Sequence, residues 1–90
     1  MKDVLLQAIR HFGKAHQQIK AVEELGELQQ AILKGLDNPL RRDVKNIIEE
    51  VADVEIVLEQ IKLIFELNSK EINAVKDKKI LRLMSRMVEK

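Results

Sequence analysis

The chain has 90 residues, with 16 Lys and Arg against 15 Asp and Glu, and no cysteine. That length allows one domain, residues 1–90, and a net charge of +1 argues against a general nucleic-acid binder, whose affinity needs a large basic excess. Without cysteine there is no disulfide framework, and His11 and His16 are too few for a zinc site of the usual Cys/His kind.

Nucleophilic chemistry is equally short of material. Thr, Tyr and Trp are absent, and Ser69 and Ser85 lie in Lys- and Arg-containing surroundings with neither histidine nearby in sequence. Gly13, Gly26 and Gly35 are isolated, so there is no phosphate-cradling glycine loop. The abundant reactive group is the carboxylate.

Leu, Ile and Val recur at helical spacing, and the reading is all-α with four helices. The first spans about Lys2 to Phe12 and stops at Gly13. Phe12 is assigned a core role ahead of base stacking. The second spans about Lys14 to Lys34, with Gly35 as the residue past its C-terminus. Asp37-Asn38-Pro39 is a turn. The third begins after Asp43, a suitable N-cap, and reaches about Leu67. Its stripe Ile47, Val51, Val54, Leu58, Ile61 and Phe65 is expected to be buried or shared between subunits, because Ala52, Ile56 and Leu63 make the opposite side apolar too. Ser69 is expected to cap the fourth helix, which continues to the C-terminus. The apolar runs are too short to span a membrane or form a signal peptide, so a cytoplasmic location and no membrane partner are expected.

Charge is segregated along the chain. Positions 46–66 hold six acids and one base, whereas positions 70–90 hold seven bases and three acids. Glu24 and Glu27 are three residues apart, as are Glu50 and Asp53, a spacing that puts each pair on one helix face. Glu50 and Asp53 fall in an arc otherwise filled by Ile47, Val54, Val57, Ile61 and Ile64. Carboxylates on an apolar face are costly unless protonated, paired or bound to a cation. Two such pairs on facing helices would offer hard oxygen ligands to Mg²⁺. Glu55 and Glu59 fall on the wet side and are read as solvated.

Phe12-Gly13-Lys14-Ala15-His16-Gln17, Glu23-Glu24-Leu25-Gly26-Glu27-Leu28 and Glu49-Glu50-Val51-Ala52-Asp53-Val54, in that order, resemble the MazG-type all-α nucleoside-triphosphate pyrophosphohydrolases. That superfamily also includes dCTP, dimeric dUTP and phosphoribosyl-ATP pyrophosphatases. The likeness extends weakly into positions 79–86, covers most of the chain, and rests on a Glu-Glu-x-x-Glu motif followed by Glu-x-x-Asp. It implies a four-helix bundle completed by oligomerisation to a homodimer or homotetramer. It also implies Mg²⁺, or Mn²⁺ in its place, on Glu24, Glu27, Glu50 and Asp53 with Glu23 as an accessory acid. The implied substrate is a nucleoside triphosphate, cleaved between the α- and β-phosphates by a metal-activated water to a monophosphate and pyrophosphate. By the same likeness Gln17, with His16 beside it, falls near the nucleotide. Lys79, Arg82 and Arg86 share one face of the fourth helix and are candidates to pair with phosphates. Val54-Glu55-Ile56-Val57 replaces the Tyr-His of phosphoribosyl-ATP pyrophosphatases, which disfavours that branch. The alternative function is a weakly active or non-catalytic helical protein of the same fold that binds metal, nucleotide or another protein. No nucleic-acid partner is expected.

Overall fold

A computed structural model describes residues 1–88, and every regular element among them is helical. Helices α1 (Lys2–Phe12), α2 (Lys14–Asp37), α3 (Val44–Ile64) and α4 (Ser69–Val88) follow one another, with a 3-10 turn, Pro39–Arg41, between α2 and α3. The expected all-α class and four helices are found. The last two positions assigned to the fourth helix, 89 and 90, lie outside the described residues.

The helix ends show how local chemistry sets the path. Gly13 alone joins α1 to α2, with φ 94° and ψ 152°, a region open essentially only to glycine. Its N–H donates to the Ile9 carbonyl, and its own carbonyl accepts from the Gln17 N–H, so one residue closes one helix and opens the next. Asp43 caps α3 by accepting from the Asn46 N–H at 3.1 Å.

Three boundaries differ from the sequence reading. Gly35 lies inside α2, which continues to Asp37. A Cβ at Gly35 would lie 3.4 Å from Cβ and Cγ of Arg42, so the glycine admits the returning loop rather than ending the helix. Asn68, not Ser69, caps α4, because its Oδ1 accepts from the Lys70 N–H at 2.8 Å. Helix α3 ends at Ile64, three residues early, where the Leu67 N–H bonds to the Lys62 carbonyl and the Glu66 N–H to the Leu63 carbonyl. This is a Schellman closure, and it places Glu66 in the left-handed region at φ 51°.

Packing is dominated by α2 against α3, with α1 laid against both. Gln17 faces Gln60 near one end and Gly35 faces Arg42 at the other, so the two long helices run antiparallel. The core comprises Leu5 and Ile9 of α1, Ala21 and Ala31 of α2, and Val54, Val57 and Ile64 of α3. Alanines on α2 let the α3 backbone approach closely. The buried line of α3 is therefore the arc that carries Glu50, whereas Val51, Leu58 and Phe65 of the expected stripe are exposed. Phe12 is also exposed, stacked on His16 with ring centres 5.3 Å apart, and the expected core role is not found.

Helix α4 packs on none of the other helices, and none of its described residues is buried. The radius of gyration is 16.5 Å, against about 12 Å for a compact domain of this length.

Two backbone positions give a test. Gly13→Ala should cost about 1–3 kcal/mol, because alanine is strained at the observed φ and ψ. Glu66→Gly should gain about 0.5–1 kcal/mol, the left-handed penalty less the extra entropy glycine loses on folding. Urea unfolding followed by circular dichroism measures both, and shifts of the opposite sign would contradict the assigned backbone.

Candidate metal centre

The antiparallel register of α2 and α3 determines which acids meet. Glu24 and Glu27 project from the middle of α2 toward Glu50 and Asp53 on α3, and one oxygen from each of the four lies within 4.8 Å of all the others. Their exposure is graded. Glu24 is buried, at 6 % of its surface, Glu50 is half-buried, and Glu27 and Asp53 are exposed at the rim.

This environment is hostile to four free negative charges. Glu24 Oε1 is paired with Lys20 Nζ at 3.1 Å, one helical turn back. Glu24 Oε2 and Glu50 Oε2 are buried with no hydrogen-bond partner. A buried acceptor left unsatisfied costs about 1–3 kcal/mol, and more if charged. Glu50 is consequently held above the ordinary carboxylate range. Burial is the largest cause, followed by the charge of Glu27 and a hydrogen bond to it, then the charges of Asp53 and Glu24. The Lys20 ammonium moves upward as well, through its hydrogen bond to Glu24 and the charges of Glu24, Glu23 and Glu27, against an opposing effect of burial.

Four oxygen donors, two bearing orphaned buried oxygens, form a set able to hold a metal ion, and hard divalent cations prefer such donors. Acids arranged merely as solvated surface charge would diverge, as Glu55 and Glu59 do. Both are exposed, and Glu59 is tied only to Lys62 at 3.0 Å.

A polar chain flanks the acids. His16 Nδ1–H donates to Gln17 Oε1 at 2.8 Å, and Gln17 Nε2 donates to Gln60 Oε1 at 3.0 Å. Gln17 and Gln60 are both buried, so this pair ties α2 to α3 beside the carboxylates. A cleft of about 170 Å³ opens there, lined by Gln17, Lys20, Glu24, Asp53 and Gln60 among others. It is smaller than the roughly 300–1,000 Å³ of most small-molecule pockets, so one chain does not enclose a nucleotide.

The remaining candidates lie further out. Glu23 is exposed and lines a separate shallow groove with His16, Ile19 and Lys20. Lys79, Arg82 and Arg86 are on α4, which packs against neither α2 nor α3, so a single chain does not bring them to the carboxylates. Lys20 and Gln60 escaped the sequence reading. Lys20 had a signal in its position four residues before Glu24. Gln60 had a weaker one, a polar residue seven beyond Asp53 on an apolar helix.

Comparisons with protein-family descriptions, with curated proteins and with solved structures return no match to this chain.

The raised Glu50 carboxyl has a consequence for stability. The folded chain keeps a proton there that the unfolded chain has already released, so metal-free stability falls as pH rises from the ordinary glutamate range through the raised value. Thermal unfolding in chelator should show Tm declining across that window. Glu50→Gln should flatten the decline and raise Tm at neutral pH. A wild-type Tm indifferent to pH there would refute the assignment.

Proposed function

We propose that this chain is a Mg²⁺-dependent nucleoside-triphosphate pyrophosphohydrolase with a MazG-like fold, working as a cytoplasmic homo-oligomer, with Mn²⁺ as an alternative ion. The observation that carries the reading is the convergence of Glu24, Glu27, Glu50 and Asp53 with two buried oxygens unpartnered. The order and spacing of the two acidic motifs, which resemble those of that superfamily, support it.

Glu24 and Glu50 are the anchored ligands, because packing of α2 on α3 fixes their positions before any ligand arrives. Glu27 and Asp53, at the rim, complete the set and face the solution from which substrate comes, with Glu23 as an accessory acid further out. Bound there, the cation supplies neutralisation of phosphate charge and activation of a water for in-line attack at the α-phosphate. Lys20, at the edge of the same cleft, offers an ammonium close to where phosphate oxygens would approach. Gln17, held by His16 and Gln60, presents a fixed polar wall to the nucleoside, and Lys79, Arg82 and Arg86 are the further phosphate donors. No protein nucleophile is required, in keeping with the poverty of Ser, Thr and Cys.

A second reading, a weakly active or non-catalytic interaction protein of the same fold, is favoured by the small cleft and by the separation of α4 from the acids. No helix among the described residues is long and apolar enough to cross a membrane.

A panel of ribo- and deoxyribonucleoside triphosphates with Mg²⁺, read out as pyrophosphate and monophosphate, decides between them. The leading reading expects release of both products from at least one triphosphate, falling about 100-fold or more in Glu50→Gln and Asp53→Asn, a loss typical of removing preorganised charge from a reaction centre. Activity that survives both substitutions excludes it. Saturating Mn²⁺, at about 100 times its Kd, should raise stability by about 2.7 kcal/mol in wild type but not in Glu50→Gln. An unchanged Tm would mean that the acids hold no cation.

A further inference from the structure

Among the described residues, Lys20 is the one base that forms an ion pair with any of the four converging acids. Its partner, Glu24, is the most buried of them. The two side chains are unlike in freedom. That of Glu24 is 8 % exposed and is fixed by the packing of α2 on α3, whereas that of Lys20 is 49 % exposed. A compact ammonium on a flexible four-carbon stem can turn outward while the carboxylate stays where it is.

Lys20 also has a place to turn to. It lines both the cleft that contains Glu24 and Asp53 and the adjoining shallow groove that contains Glu23. Glu23 and Glu24 stand three and four residues beyond Lys20, so one side chain reaches either carboxylate. Glu24 belongs to the converging set, and Glu23 lies outside it.

An ammonium and a divalent cation make competing claims on Glu24. Both draw on the lone pairs of one carboxylate, and both are positive. With metal–oxygen distances near 2.1 Å, a dication on either Glu24 oxygen would stand within about 7 Å of an ammonium still paired there. That is inside the screening length of physiological salt, so the two repel. In the metal-free chain the same ammonium is indispensable to Glu24. Without it, a buried carboxylate would have neither oxygen partnered.

We infer that Lys20 is the chain's own stand-in cation, holding Glu24 in the metal-free state and displaced outward, toward Glu23, when a divalent cation enters. The inference rests on the metal-centre reading and adds to it how that centre is regulated. Lys20 stabilises the metal-free fold and weakens metal affinity by the same factor, because binding must break the pair. The displaced ammonium stays at the mouth of the cleft. Metal entry thereby frees a positive charge for an anionic ligand that arrives after it.

The test is a Mn²⁺ titration of the full chain at neutral pH, read from the paramagnetic resonance signal of free Mn²⁺. Tm is measured in parallel, in chelator and at saturating Mn²⁺. Lys20→Met, which keeps the length and loses the charge, should bind Mn²⁺ about 10-fold more tightly than wild type. Lys20→Arg, which keeps the charge, should stay within about 2-fold of wild type. By linkage, Lys20→Met should melt below wild type in chelator and together with it at saturating Mn²⁺. If Lys20→Met does not fold, Lys20→Gln, which retains a donor for Glu24 without the charge, takes its place with the same expectations. Three results overturn the inference and leave the metal centre standing. They are Mn²⁺ affinity unchanged or weaker in the uncharged variant, a Tm deficit that persists at saturating Mn²⁺, and tightening in Lys20→Arg equal to that in Lys20→Met. Failure of wild type and all variants to bind Mn²⁺ overturns the metal centre, and this inference with it.

Discussion

Four carboxyl groups converge where α2 packs on α3, with an oxygen of each within 4.8 Å of the rest, and the rest of the structure is arranged around that repulsion. Apolar burial draws the helices together through Ala21, Ala31, Val54 and Val57, and the acids are carried in with them. Lys20 offsets part of the charge at Glu24, and Glu50 resists ionisation. What compensation remains missing is located at two atoms, Glu24 Oε2 and Glu50 Oε2. Those two atoms are where the proposed cation would supply the missing partner.

The hairpin works as a plate with two unlike faces. One face holds the carboxylates and the His16–Gln17–Gln60 hydrogen-bond chain, where buried amides keep the two helices in register beside the acids. The other exposes Val22, Leu25 and Ile32 of α2 and Val51, Leu58 and Phe65 of α3. Helix α1, turned back on a single glycine, covers part of the hairpin through Leu5 and Ile9. Helix α4 is a separate matter. Asn68 caps its N-terminus, yet its described residues pack on no other helix.

Much of the fold was legible from residue types. Gly13, Pro39, Asp43 and the Asn68-Ser69 break punctuate the helices close to where they begin and end, because each acts through its own backbone conformation or a local hydrogen bond. Gly35 misled for the opposite reason. Its function is to admit Arg42, a neighbour seven residues away that only the returning loop brings close. On α3, apolar residues nearly all round the helix left two readings of its buried side. Contact with alanines on α2 selected the arc bearing Glu50 over the stripe bearing Val51, Leu58 and Phe65.

The grouping of the acids into pairs was determined by the sequence itself, since residues three apart share a helix face whatever the helix packs against. So was the four-helix, all-α class, which follows from apolar period and turn residues. Only the tertiary structure decided that the two pairs meet, which of the four is buried, and that Lys20 and Gln60 belong with them, because those facts depend on the antiparallel register and rotation of α2 and α3. It also decided that the balance of 16 bases and 15 acids is not a balance in space. Attraction between opposite charges at a solvated surface is too weak to fold α4 onto the acids without apolar contacts to hold it there, and in this chain the acids remain apart from the basic helix.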